Sequence, residues 1–284
     1  LLAIGGSTNA IIHLTAVAGR LGIPIPLTQL NALSDETPVL IDLKPTGEHY
    51  MEDLFKAGGL GVVLRELKHL LNLDCITVTG QTLEERLEVE PKYVDRTVVR
   101  SINNPIQPMG GLVSLFGSLA PQGAILKRSA ADPKLFETEG RAVVFSSLED
   151  LSLRIDDPAL DVEKNDILIL QNAGPKSNAA MPEAGYLPIP KKLARMGVKD
   201  MVRISDARMS GTAYGTIVLH VTPEAAIGGP LALVKNGDRI KISVENRSLD
   251  LLISEEEMQN RLKQLQVKSP PTYHRGYKKL YYDT

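Results

Sequence analysis

The amino-acid sequence predicts an α/β region over residues 1–96, followed by a mostly β, barrel-type domain with flanking helices over residues 97–284. Two observations support this division. Up to about residue 95, long stretches with apolar residues at helical spacing dominate. From Thr97 onward, short apolar runs alternate with turns rich in glycine, proline and asparagine. Many short strands with few long helices are typical of a closed or nearly closed barrel.

In the first region, residues 8–21 are predicted to form a helix that begins near Thr8 and ends at Gly22. Apolar residues cover most of its surface, so we expect it to be buried, with His13 as a core histidine. A short strand is expected at residues 39–41. A pair of helices broken by two glycines is expected within residues 49–71.

A third helix in this region should open at Thr82, because Thr82 and Glu85 have the spacing of a capping box. Cys75 lies between this helix and the preceding pair, in a segment that resembles a short buried strand. We therefore expect its thiol to be buried and inert.

The second region contains nine candidate strands and three candidate helices. Asn236-Gly237 and Asn246-Arg247 mark turns between the last strands. The predicted strands are Thr97–Arg100, Leu112–Leu115, Ala124–Leu126, Arg141–Phe145, Asp166–Leu170, Met201–Ile204, Thr216–His220, Arg239–Val244 and Ser248–Ile253, and the predicted helices are Ser147–Arg154, Leu187–Met196 and Ser254–Leu265.

Composition narrows the range of partners. The 284 residues include 32 basic and 34 acidic side chains, for a net charge of −2, which argues against a nucleic-acid partner. No apolar run approaches the roughly 20 residues that span a bilayer, so no membrane segment is expected. Cys75 is the only cysteine, which excludes an internal disulfide and suits a cytoplasmic protein. The chain begins without methionine, inside an apparent structural element, so we expect an N-terminal part to be absent.

The most informative segment is Val202–Thr216, in which a polar, glycine-containing loop separates two apolar runs. Loops held by a rigid strand scaffold commonly carry functional groups. Ser210 and Thr212 lie two residues apart, so an extended backbone would direct both hydroxyls to the same side. An ordinary polar hairpin is an equally good interpretation of this pattern alone.

Four segments together resemble a known family. They are Gly5-Gly6-Ser7-Thr8-Asn9-Ala10, Asp42-Leu43-Lys44-Pro45-Thr46-Gly47, the pair Gly174-Pro175-Lys176 and Met181-Pro182-Glu183, and the string SDARMSGTAYGTIVLHVTPEAA from Ser205. In this order they resemble motifs of the dihydroxy-acid and aldonic-acid dehydratases, the IlvD/Edd family. The SDARMSGTAYGT form and the C-terminal tail are more similar to the sugar-acid branch.

The resemblance implies a β-barrel-type domain packed on an α/β domain, Mg²⁺, and an iron–sulfur cluster of the 2Fe–2S kind. It implies that Ser210 is the catalytic base, held as an alkoxide by nearby positive charge, and that Glu183 is a magnesium ligand. Arg208, Gly211 and Thr212 would contact the substrate. The cluster cysteines would lie before the first motif, so this chain supplies none and we expect it to be inactive alone.

The resemblance further implies a hydro-lyase that converts a sugar acid, such as arabinonate or xylonate, to a 2-keto-3-deoxy acid. Its partners would be this small-molecule substrate and further copies of the same chain in a homo-oligomer. A dihydroxy-acid dehydratase of branched-chain amino-acid synthesis is the second possibility and a phosphogluconate dehydratase the third. A non-catalytic β-barrel binding domain stays open as a different class of function.

Overall fold

The computed structural model describes residues 1–89, 92–177, 186–210, 213–266 and 273–283. The first region is helical, and the predicted glycine break separates its third and fourth helices. Thr82 and Glu85 form the predicted capping box, since each side chain accepts a hydrogen bond from the other residue's backbone N–H. The helices are α1 (Asn9–Gly19), α2 (Leu27–Glu36), α3 (Met51–Lys56), α4 (Gly59–Glu66) and α5 (Leu83–Val89).

Three expectations for the first region are wrong. Helix α1 is not buried, because Leu14, Val17 and Leu21 near it are 51 %, 67 % and 76 % exposed. Its His13 is exposed as well, so it is not a core histidine. Cys75 is also exposed, in a loop next to a single β-bridge. Short apolar runs predict burial only where a partner element covers them, and sequence does not show that partner.

The second region is an eight-stranded mixed sheet in the spatial order β1-β2-β6-β5-β4-β3-β7-β8. The four central strands β3, β4, β5 and β6 are parallel neighbours, and the outer pairings are antiparallel. The strands are β1 (Val113–Leu115), β2 (Gly123–Leu126), β3 (Glu137–Phe145), β4 (Ile167–Leu170), β5 (Arg203–Ser205), β6 (Ile217–Thr222), β7 (Arg239–Ser243) and β8 (Ser248–Leu251).

The sheet curves until its two edges meet, which confirms the predicted barrel. A parallel bridge joins Phe116, just after β1, to Ser248 at the start of β8. Side chains alternate between the two faces of the barrel wall: Ile167 and Ile169 point into the interior core, whereas Leu168 and Leu170 pack on the outside. Both faces of the parallel strands are therefore covered, which explains why the sequences of these strands are continuous apolar runs.

Eight of the nine predicted strands are present. The exception is Thr97–Arg100, which is largely a turn with one bridge from Val99 to Ile41. The predicted strand at residues 39–41 likewise forms only single bridges. The helices outside the first region are α6 (Leu148–Arg154), α7 (Lys191–Arg195), α8 (Glu255–Gln264) and α9 (Gly276–Asp283). Among the described residues, no helix combines the length and apolarity that a bilayer span requires.

Gly140 marks the place where β3 changes partner. Residues 137–141 pair with β7 and residues 142–145 pair with β4. A Cβ at Gly140 would lie 2.6 Å from the Asn165 carbonyl oxygen and 2.8 Å from Cγ1 of Ile167. The close approach of the Asn165 backbone therefore requires glycine at this position.

We predict that Gly140→Ala lowers the free energy of unfolding by about 1–3 kcal/mol, because the backbone must shift to admit one methyl group. Urea unfolding monitored by circular dichroism measures this change. Gly19→Ala is the matched control, since nothing lies within 4 Å of a Cβ built there. Equal unfolding midpoints for the two variants would contradict the prediction.

Candidate active site

The connection that carries Ser210 is constrained by the direction of its two strands. β5 and β6 are parallel neighbours, with Arg203 opposite Ile217. The segment from Asp206 to Thr216, here called the serine loop, therefore leaves the carboxyl end of β5 and returns to the amino end of β6 along the outside of the barrel. On this route Ala207, Met209 and Ala213 pack with Ile217 and Leu219 on the outer side of the barrel wall.

Buried polar groups hold the return end of the serine loop. The Arg203 guanidinium donates to the Tyr214 carbonyl at 2.7 Å and to the Leu187 carbonyl at 3.2 Å. Its partner Asp200 accepts from the backbone N–H of Thr216 at 2.9 Å and from the Thr216 hydroxyl at 2.7 Å. Arg203 is 3 % exposed, so these bonds form in a medium of low dielectric constant.

Asp206 holds the start of the loop. Its carboxylate is 2 % exposed and accepts the backbone N–H of Ala173, after β4, and of Ala225, after β6. The two bonds are 3.0 and 2.9 Å long. One side chain therefore connects the serine loop to the segments after both neighbouring strands.

The first motif docks on the serine loop. Asn9, at the start of α1, is buried and its amide donates to the Met209 carbonyl at 3.0 Å, next to Ser210. One turn further along α1, a guanidinium nitrogen of Arg208 lies 3.3 Å from Nε2 of His13. The structure thus brings together two motifs that are about 200 residues apart in sequence.

A small cavity lies beneath Ser210. Its volume is about 20 Å³, and its polar lining groups among the described residues are Thr8, Lys127 and Ser210. The remaining walls are backbone or apolar side chains, including Ile217 and Leu219 of β6. Lys127 is 8 % exposed, and burial lowers the pKa of its ammonium group. No carboxylate within the described part of the chain forms an ion pair with it.

Arg208 also affects a partly buried imidazole. His220 of β6 has a positive φ of 57°, and its Nε2 has no hydrogen-bond partner in the described residues. Burial, and secondarily the positive charge of Arg208, lower the pKa of His220 to about 4. The ring is therefore neutral at physiological pH, and the guanidinium is the cationic group on this side of the loop.

Glu224 occupies the space between the serine loop and the Gly174-Pro175-Lys176 motif. Its carboxylate accepts the backbone N–H of Lys176 at 2.8 Å. A Cβ at Gly174 would lie 2.4 Å from Oε2 of Glu224, so the motif requires glycine there to admit the carboxylate. Burial, with a smaller contribution from the charge of Asp206, raises the pKa of Glu224 from 4.5 to about 7.

The structure describes only some of the predicted site residues. Ser210 is exposed, and Arg208, two residues before it, is partly buried. Gly211, Thr212 and Glu183 lie outside the described residues, so their roles stay predictions. In the described part, no group of three or more histidine, cysteine or acidic side chains is arranged to hold a metal ion. A larger groove of about 620 Å³ lies between α3, α4 and α5, and none of the predicted site residues lines it.

Sequence reasoning missed Lys127, Asp206 and Glu224. Both carboxylates belong to the string that carried the resemblance, but acidic residues in turns are usually solvated, so no pattern marked them as buried. For Lys127, the sequence did contain a pattern that indicates burial. It follows three apolar residues of a buried strand, and period-two alternation places it on the same face as Ile125.

Comparison with known proteins shows which family the chain belongs to. Residues 1–86 match the family model described as dihydroxy-acid/6-phosphogluconate dehydratase N-terminal, and residues 97–284 match the corresponding C-terminal model. Both models describe one class of protein, the dihydroxy-acid/6-phosphogluconate dehydratases. The chain belongs to the dihydroxy-acid/6-phosphogluconate dehydratase family.

Individual relatives differ in the substrates that their names state. The chain is 47 % identical to an L-arabonate dehydratase of Azospirillum brasilense, over 99 % of the chain and 49 % of the relative. It is 47 % identical to a 6-deoxy-6-sulfo-D-gluconate dehydratase of Pseudomonas putida, over 99 % and 48 % respectively. It is 41 % identical to a dihydroxy-acid dehydratase of Acetivibrio thermocellus, over 95 % and 48 %. The chain thus spans about half the length of these relatives.

The raised pKa of Glu224 predicts a pH-dependent stability. Between pH 4.5 and 7 the unfolded carboxyl group loses its proton while the folded one keeps it, so stability falls as pH rises through this window. We expect Glu224 to contribute a loss of about 3 kcal/mol, fully present above pH 7. Glu224→Gln should remove this part of the pH dependence, because its amide oxygen can still accept the Lys176 N–H.

The measurement is the free energy of unfolding in urea at pH values from 4.5 to 8. Glu245→Gln is the control, because Glu245 is exposed in the turn between β7 and β8. An unfolding free energy of Glu224→Gln that declines with pH as steeply as that of the wild type would refute the assignment.

Proposed function

We propose that the full-length protein is a hydro-lyase that removes water from a sugar (aldonic) acid and releases a 2-keto-3-deoxy acid. The observation that carries this proposal is the junction of the serine loop with the start of α1, where Asn9 holds the carbonyl next to Ser210 over a buried lysine. Two relatives at 47 % identity are named as dehydratases of L-arabonate and of 6-deoxy-6-sulfo-D-gluconate, and these names support a sugar acid as the substrate.

The reaction requires removal of the proton on C2 and departure of the hydroxyl group on C3. We assign the first step to Ser210, whose hydroxyl group must lose its own proton before it can act as a base. Negative charge then develops on the substrate carboxylate and C2, and Arg208 lies two residues from Ser210 as a cationic group for it. The resulting enol becomes the keto acid, and the hydroxyl group leaves as water.

Mg²⁺ and an iron–sulfur cluster belong to this proposal as Lewis acids for the leaving hydroxyl group, with Glu183 as one magnesium ligand. The described residues do not fit either group by themselves. The single cysteine is exposed in a loop of the first region, and a cluster needs several thiolates. We therefore assign these groups to donors outside the described residues and derive no step through them.

A dihydroxy-acid dehydratase is the alternative within the family, favoured by the relative of Acetivibrio thermocellus at 41 % identity. Both reactions use the same two steps, so the described residues serve either substrate. A non-catalytic binding domain is the alternative from another class. It would need neither a buried lysine under the serine nor a docked first motif, both of which this chain has.

The test is an assay of the full-length protein, purified without oxygen and supplied with Mg²⁺, against aldonic acids and 2,3-dihydroxy-isovalerate. We expect keto-acid release from a sugar acid and a loss of about 10²–10⁴-fold in kcat for Ser210→Ala. Ser152→Ala, on the exposed surface of α6, is the control and should keep full activity.

Turnover of 2,3-dihydroxy-isovalerate alone would select the alternative substrate. No turnover of any acid by protein that contains its cluster would leave the binding domain as the surviving interpretation. Full activity of Ser210→Ala would refute the assignment of the base.

A further inference from the structure

Lys127 has properties that the proposed mechanism has not used. It follows β2 directly and lies beside β6 on the outer wall of the barrel, where Leu126 pairs with Val218. Only 8 % of the residue is exposed. The cavity into which it opens is lined otherwise by Thr8, Ser210 and apolar or backbone groups. An ammonium group in such a place is costly unless it has a counter-charge or a chemical role.

The surroundings of Lys127 contain no described counter-charge. The next residue, Arg128, turns away and donates to the Gly110 carbonyl and the Ser34 hydroxyl. Arg208 of the serine loop approaches His13, and His220 of β6 is neutral. Among the described cavity residues, Thr8 and Ser210 are therefore the other residues with polar side chains.

The size of the cavity determines how a proton can move between Lys127 and Ser210. A volume of about 20 Å³ is close to the space that one water molecule needs. A proton can move between two groups in direct contact or through one intervening water. Ala213, Ile217 and Leu219 provide the apolar part of the cavity lining.

We propose that Lys127 is the positioning residue that activates Ser210, by accepting the proton of the Ser210 hydroxyl group across this cavity. This inference rests on the proposed function. The neutral amine becomes an ammonium ion and Ser210 becomes an alkoxide, which then takes the C2 proton of the substrate. Taking the C2 proton restores the serine hydroxyl group. The departing hydroxide takes the proton held by Lys127 and leaves as water, which restores the neutral amine.

Two further facts support this assignment. Burial lowers the pKa of Lys127, which favours the neutral amine that can accept a proton. Asn9 fixes the backbone carbonyl before Ser210, so the loop that carries the hydroxyl group is held against the cavity. Serine and lysine form comparable pairs in other enzymes, where the amine replaces histidine as the base.

The first experiment compares Lys127→Met and Lys127→Arg in the full-length holoenzyme. Both should lose roughly 100-fold or more in kcat with little change in KM, because neither side chain accepts a proton near neutral pH. The acidic limb of the kcat profile should also disappear in the residual activity. Methylamine should partly restore the activity of Lys127→Ala. Lys134→Met, at an exposed lysine seven residues later, should behave as wild type.

Activity retained by Lys127→Arg and lost by Lys127→Met would show that a fixed positive charge suffices, which overturns the proton transfer. Unchanged activity of Lys127→Met, with activity lost in Ser210→Ala, would overturn the role of Lys127 and leave the proposed function intact. No turnover by wild type would overturn both.

A second experiment tests the pKa of Lys127 by thermal stability instead of activity. The Tm of Lys127→Met should exceed that of wild type near pH 6, and the difference should shrink as pH rises toward 10.5, where the unfolded lysine also loses its proton. A residue that only supports the fold would instead lower the Tm at every pH. A pH-independent difference would contradict a lowered pKa for Lys127 and overturn the proposal.

Discussion

The parallel pairing of β5 and β6 is the constraint on which the candidate site depends. Parallel neighbours cannot be joined by a tight turn, so their connection must cross the outside of the barrel. Ala207 and Met209 of the serine loop are buried on the outer side of the barrel wall. Buried polar groups hold the two ends of the loop, namely the Arg203–Asp200 pair and the Asp206 carboxylate.

These anchors explain why distant motifs meet at one place. Asp206 connects the ends of β4 and β6, which brings Glu224 under the Gly174 turn. Asn9 connects the start of α1 to the middle of the same loop. Each contact is a hydrogen bond to a backbone group, so the position of the loop depends on a few side chains that cannot be exchanged for apolar ones without leaving a buried N–H or C=O unpaired.

The sequence predicted the barrel well because its strands combine short apolar runs with glycine and asparagine turns, and eight of the nine expected strands are present. It predicted the first region less well. The apolar surface of α1 is exposed, and Cys75 lies in a loop, since burial depends on which element covers a segment. The motif residues predicted that Ser210 matters. The burial of Lys127 depends on tertiary structure, because it results from the packing of β2, β6 and the serine loop around the side chain.

The site as a whole holds more buried ionisable groups than stability alone would favour. Lys127 and Glu224 each lie where burial disfavours the charged form, and apolar residues of similar volume would give a more stable barrel. The ion pair of Arg203 with Asp200, which anchors the serine loop, satisfies both partners. For Lys127, the cavity that it shares with Ser210 gives this burial a use in the proposed proton transfer, because a lowered pKa favours the neutral amine that accepts a proton.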